Sequence, residues 1–293
     1  MLFNPIILKF GGSSMSQISQ VAQICLDHLK KNQRLIVVVS AQQGITEQLI
    51  KQAQSYNNSS SLNLSVKREM DMLISTGERV SMSLLAIELL SKGVSCKSLT
   101  GSQTGIITSN EFGNADIINI RSKRLLNELN SHQVIIVAGF QGMSLEKEIT
   151  TLGRGGSDLS AIALGHYLNS SEVILYSDIN GLYDCNPKQY KKAQLIPQCS
   201  REFAYACSLM GAKLIHEKAA FYAYKNSINY RLKSTFEPHL TGTQINAEKN
   251  FKNTYESDSY KNPSTKPWKH KKNPSLNSFK LNYQNKELTL TGF

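Results

Sequence analysis

Residues 7–14 read ILKFGGSS, a lysine two positions before a double glycine and two hydroxyl side chains. Glycines let backbone N–H groups approach phosphate oxygens closely, and a helix beginning just after them favours negative charge. Lys9, at the end of a buried apolar run, would supply a fixed cation for a transferring phosphoryl group. A plain strand–turn–helix junction explains the same letters. The spacing is neither G-x-x-x-x-G-K-[ST] nor G-x-G-x-x-G, so neither the P-loop nor the dinucleotide fingerprint is present.

A second candidate, TLGRGGSD at residues 151–158, runs directly into an apolar helical segment. Arg154 is suited to bidentate binding of a carboxylate or phosphate, and Ser157 or Asp158 is placed to cap the helix. An acidic Asp158 in an anion site fits a substrate with both charges, as an amino acid has. In KREMDMLISTGERVSMSLL, residues 67–85, Met70, Leu73, Ile74, Leu84 and Leu85 make an apolar helical stripe with Glu78 on its shoulder. A carboxylate there needs a partner, and Gly77 beside it implies a close approach by another element. The bland alternative is a rim glutamate paired with a lysine or arginine. In VILYSDINGLYDCNPK, residues 173–188, a strand ends at Ser177–Asp178 and opens a loop carrying Tyr183 and Lys188. An acid and an aromatic ring after a strand suit a ribose and base, although a structural loop would look the same.

These residues must be carried by regular elements. Apolar, β-branched runs recur at residues 6–10, 35–40, 94–99, 134–140, 173–177 and 228–232. Helical spacing fills 18–31, 67–90, 117–129 and 159–168 between them. Strands alternating with helices predict an α/β fold with a mainly parallel central sheet covered on both faces, and ligands then bind at the carboxyl ends of the strands.

The 293 residues are 40% hydrophobic and 19% charged, and no run approaches the ~18 apolar residues of a membrane span. The opening MLFNPIILKF reads as a first buried strand rather than a secretory signal. Five scattered cysteines, none in a C-x-x-C pair, suggest neither a disulfide framework nor a zinc site, and fit a reducing cytoplasm. The formal charge of +11 is uneven: residues 249–293 hold nine lysines against three acids, +6, which leaves +5 for the rest. That lysine- and asparagine-rich stretch lacks the regular aromatic interleaving of a base-stacking surface, so nucleic acid is not expected as a partner. It reads as a linker, followed by strand, turn at Gln284–Asn285 and strand.

Taken in this order, the four segments closely resemble the aspartate kinases of the amino acid kinase family. VVVSAQQGIT (37–46), VIIVAGFQGM (134–143) and MGAKLIH (210–216) extend the resemblance over about residues 5–245. It implies a three-layer αβα sandwich and ATP-dependent phosphorylation of the L-aspartate side-chain carboxylate, the first step toward lysine, threonine and methionine. Lys9 then neutralises the transferring phosphoryl group and Asp158 orients the catalytic groups. Gly11, Gly12 and Ser13 form the phosphate loop. Thr46, Glu78, Arg154 and Ser157 contact the amino acid, with Arg154 on its α-carboxylate. Ser177, Asp178, Tyr183, Lys188 and Lys213 lie on the nucleotide side. Magnesium is expected to arrive with ATP, with no protein metal cage, and the resemblance also implies a homo-oligomer, a dimer.

Three positions depart from the family pattern: Asn186 and Lys188 in place of the Asp and Arg of D-P-R, and Glu217 in place of the proline after His216. The expected division is a catalytic domain at 1–247 and a tail at 248–293, whose last strands resemble the opening of an ACT regulatory domain. Feedback inhibition by lysine or threonine from this chain alone is not expected, unless a partner chain completes the hairpin. The competing readings are kinases of acetylglutamate, glutamate or a nucleoside monophosphate, and a catalytically silent ligand-binding homologue.

Overall fold

The computed structural model describes residues 4–31, 33–56, 63–185, 187–188, 190–212 and 214–246, and the backbone of 278–283 and 286–291. The first half contains β1 (Ile6–Phe10), α1 (Gly12–Met15), α2 (Ile18–Leu29), β2 (Leu35–Val39), α3 (Ile45–Tyr56), α4 (Leu64–Ile74), α5 (Thr76–Ser91), β3 (Cys96–Leu99), α6 (Gly101–Thr104), β4 (Ile106–Thr108), β5 (Ile117–Ile120), α7 (Lys123–Ser131) and β6 (Val134–Ala138). There follow β7 (Gln141–Ser144), β8 (Ile149–Thr151), α8 (Gly156–Tyr167), β9 (Glu172–Ser177), β10 (Gln198–Ser200), α9 (Arg201–Leu209), α10 (Glu217–Lys225), β11 (Tyr230–Ser234), β12 (Thr243–Asn246), β13 (Ser278–Tyr283) and β14 (Lys286–Thr291).

The main sheet has the order β10-β12-β11-β9-β1-β2-β6-β3. From β11 to β3 all neighbours are parallel, and β12 turns antiparallel to β11. The central strands are buried on both faces, which explains why LIVVV and VIIVA show no alternation. One face packs against α2 and α5 through Val21, Ala22, Leu85 and Leu89; the other packs against α7, α8 and α10 through Leu125, Ile162, Leu164 and Ala219. The three-layer expectation is therefore met. Ile6, Leu8 and Phe10 point into the α2 layer and Ile7 into the α8 layer. By the two-residue period Lys9 shares the α8 side with Ile7.

A second sheet, β5-β4-β7-β8, went unread in the sequence. It corrects residues 117–129, expected as one helix: 117–120 form β5, antiparallel to β4, and the helix starts only at Lys123. Three isoleucines in four positions lose rotamer freedom in a helix and suit an edge strand. The helix expected over 67–90 is interrupted at Ser75, whose carbonyl accepts a hydrogen bond from Gln141 Nε2 at 2.8 Å. Leu84 leaves the expected buried stripe: it is exposed, and α5 buries Met82, Leu85 and Leu89 instead. Strands β13 and β14 pair with each other as a hairpin, and the turn expected at Gln284–Asn285 lies outside the described residues. No helix among the described residues is long and apolar enough to cross a membrane.

Candidate active site

Lys9 stands one residue before the end of β1, the strand between β2 and β9. Its Nζ lies 2.5 Å from Asp158 Oδ1, with 12% and 13% of the two side chains exposed. Asp158 sits in the first turn of α8, which packs on β1 from the side that Lys9 faces. The helix N-cap is Gly155, in the left-handed region at φ +69°, and no side chain caps it. The expectation that Ser157 or Asp158 caps α8 is thus corrected: Asp158 is committed to Lys9. Its Oδ2 accepts a longer bond, 3.4 Å, from the His216 N–H.

After Phe10 the chain turns through Gly11 into α1. A Cβ on Gly11 would lie 3.4 Å from Lys9 Nζ, and one on Gly12 would crowd the Ala41 carbonyl at 3.1 Å. Gly12 O accepts from Gln43 N at 3.1 Å, joining this loop to the one that follows β2. Ser13 is half-buried, and Ser14 is buried with its Oγ 2.6 Å from Thr235 Oγ1, beyond the end of β11. The loops after three parallel strands therefore meet at the Gly11–Ser14 turn that follows Lys9.

Glu78 is 3% exposed. Its Oε1 accepts from Ala41 N at 2.9 Å, while Oε2 is buried without a hydrogen-bond partner. Among the described residues no ion pair involves it, and its burial is not that of a rim salt bridge. Burial raises its carboxyl from 4.5 to about 7, and the Ala41 amide only partly counters this. The close approach inferred from Gly77 is present: a Cβ there would meet Ala41 Cβ at 2.8 Å. Thr46 is the second residue of α3 and half-buried, following the left-handed turn at Gly44 (φ +82°). Ser157 is buried under Gly139, where a Cβ would strike Ser157 Cβ at 2.9 Å. Arg154 is exposed, four residues before Asp158 in the chain.

On the other side of β1, Ser177 ends β9 and its Oγ forms a local turn with Ile179. Asp178 and Lys188 pair at 2.6 Å, both solvent-exposed. Tyr183 is half-buried in an isolated bridge to Leu195, and burial raises its hydroxyl with a further push from Glu237. Lys213 and Asn186 lie outside the described residues. Where a proline was expected, Glu217 opens α10, and His216 caps that helix by accepting from Lys218 N.

Sequence reasoning passed over Asp71 and Lys218, both buried and both bonded to the segment before Arg154. An aspartate between two methionines in a helical stripe was a readable signal for the first. Lys218 carried none. Phe140, at φ +69° after β6, was missed for the same reason: no local letter marks it.

Residues 4–234 match the family model described as the amino acid kinase family. An aspartokinase of Helicobacter pylori (strain ATCC 700392 / 26695) is 38% identical over 250 residues, 84% of this chain and 60% of that protein. This chain thus spans about 60% of the length of the curated relatives it matches. Among solved structures, aspartate kinase from Synechocystis superposes with a TM-score of 0.71 at 34% identity, covering 83% of this chain and 40% of the other. E. coli aspartokinase III in complex with aspartate and ADP gives 0.72 at 25%, covering 84% and 66%. With the lysine–diglycine strand end, the α8 carboxylate and the parallel sheet all in place, the chain belongs to the amino acid kinase family.

Proposed function

We propose that this chain is the catalytic unit of an aspartate kinase, which transfers the γ-phosphoryl group of ATP to the side-chain carboxylate of L-aspartate. The observation that carries the reading is the unpartnered, buried Oε2 of Glu78 on an element tied to the Lys9 loop. A carboxylate held there at a desolvation cost is made for a cation, and the substrate α-ammonium supplies one. Arg154, exposed and just before the α8 turn that carries Asp158, suits the α-carboxylate. Thr46 and Ser157 complete the amino-acid side. Gly11, Gly12, Ser13, Ser177, Asp178, Tyr183 and Lys188 form the nucleotide side, to which the family resemblance assigns Lys213 as well. The relatives' names support aspartate over glutamate or acetylglutamate.

A side-chain carboxylate is already ionised at neutral pH, so no general base is required. The difficulty is bringing an anion against a polyanionic triphosphate, which positioning and cationic stabilisation solve. A carboxylate oxygen attacks the γ-phosphorus in line, the bond to the β-phosphate oxygen breaks, and ADP leaves with that electron pair. Lys9 Nζ neutralises charge on the moving group, and Asp158 holds the amine in place. Magnesium enters as part of the nucleotide substrate, screening the phosphates. The products are 4-phospho-L-aspartate and ADP.

Hydroxylamine traps an acyl phosphate as a hydroxamate, and this is the test. Aspartate with MgATP should give hydroxamate, whereas glutamate and N-acetylglutamate should not give it above background; UMP, whose product would be a diphosphate, is followed by ADP release and should give none above background. Phosphorylation of N-acetylglutamate in place of aspartate would overturn the assignment. ATP binding without any product would establish a silent homologue.

A further inference from the structure

The segment that delivers Arg154 has all of its backbone hydrogen-bonding groups engaged at Thr151 and Leu152, and two buried charges supply part of that. Asp71, on α4 and 1% exposed, accepts from Thr151 N at 2.7 Å, Thr151 Oγ1 at 2.7 Å and Gly113 N at 2.9 Å. Lys218, on α10 and 8% exposed, donates from Nζ to Leu152 O at 3.1 Å, Ala115 O at 2.9 Å and Asn114 Oδ1 at 3.2 Å. The remaining two groups are also used: Thr151 O accepts from Ala115 N, and Leu152 N donates to Phe140 O, both at 2.8 Å.

Buried charges usually pair with each other or with a ligand. Asp71 instead spends its charge on backbone and one hydroxyl. Lys218 binds two carbonyls and an amide, and its ion-pair partner among the described residues, Asp116 at 3.3 Å, is exposed. Both grip the residues immediately before Gly153, which itself sits at φ +76° against Asn114. Arg154 follows directly, with its side chain in solvent. The same turn of α10 places the His216 N–H on Asp158.

We propose that Asp71 and Lys218 are positioning residues for amino-acid binding: together they fix the backbone from which Arg154 reaches the substrate α-carboxylate. Neither touches substrate. This rests on the proposed role of Arg154, and it adds a specific kinetic signature, because a loosened Arg154 weakens the amino acid and leaves the nucleotide side unaffected.

The test is Lys218→Met in the full chain, which keeps the stem and removes the charged donor. The KM for aspartate should rise at least tenfold, the KM for ATP should stay within twofold, and kcat within threefold. Amide hydrogen exchange should quicken at residues 152–156 and not in β1 or β2. An unchanged aspartate KM, equal increases in both KM values, or unchanged exchange at 152–156 would overturn the proposal. If Lys218→Met does not fold, Asn114→Ala removes one acceptor from an exposed position; a two- to fivefold rise confined to aspartate supports the clamp, and no change refutes it. Wild-type enzyme that makes no hydroxamate from aspartate would remove the kinase reading alone, since the exchange measurement would still decide whether Lys218 holds the segment.

Discussion

Glu78→Gln should make the ligand-free protein more stable at pH 8 and leave it nearly unchanged at pH 5. Burial lifts the Glu78 carboxyl from 4.5 to about 7. Below pH 4.5 folded and unfolded chains both hold the proton, and the group contributes nothing to pH-dependent stability. Between 4.5 and 7 the unfolded chain sheds it while the fold retains it, so stability falls as pH rises through this window. Above 7 the whole cost remains, about 3 kcal/mol from the displacement of the carboxyl. Glutamine keeps the acceptor for Ala41 N and cannot ionise, but it places an unpaired amide where Oε2 now sits, at about 1 kcal/mol. The net gain at pH 8 is about 2 kcal/mol, or about 4–8 °C in Tm for a chain of this size. Calorimetry of both proteins at the two pH values measures it. A Tm difference that is the same at pH 5 and pH 8 would refute the reasoning, since the expected gain arises wholly from ionisation. Catalysis should show the counterpart: with binding reserved for ionised Glu78, the KM for aspartate at pH 6 should be about tenfold its value at pH 8.

Lys9→Ala should lower turnover by roughly two to four orders of magnitude while circular dichroism shows an intact fold; near-normal turnover would remove Lys9 from the chemistry. Gly77→Ala gains about 1 kcal/mol of helix propensity but drives a methyl to 2.8 Å from Ala41 Cβ, so urea unfolding should show a net loss of about 1–2 kcal/mol. Gly155→Ala combines a left-handed backbone with a Cβ 2.0 Å from His216 Cβ, and a loss of about 3 kcal/mol together with most activity is expected from the same titration and the hydroxamate assay. Lys188→Ala breaks an exposed ion pair with Asp178 and should change stability by less than about 0.5 kcal/mol, yet raise the KM for ATP.

Much of the candidate site was legible because its parts are local. Lys9, Gly11 and Gly12 are contiguous with a strand end, and Arg154 precedes Asp158 at a helix start; short-range patterns encode both. Gly77 announced its contact, since a helical glycine among good helix formers has no other local reason. The misreadings were of a different kind. Apolar spacing alone makes residues 117–120 look helical, and the partner strand β4, which turns them into an edge strand, is a tertiary fact. The break at Ser75 depends on a glutamine 66 residues away in the second sheet.

The sequence alone therefore determined the alternation of strands and helices, the sheet's two buried faces and the loops that carry glycine and charge. Periodicity records which face of an element is covered, because burial selects apolar residues. It does not record which element does the covering. Only the folded chain decided that Lys9 meets Asp158, that Glu78 is held on one oxygen by Ala41 and left open on the other, and that Asp71 and Lys218 grip the backbone before Arg154. These contacts join residues far apart in the chain, and each is fixed by the packing of whole helices against the sheet rather than by any local preference.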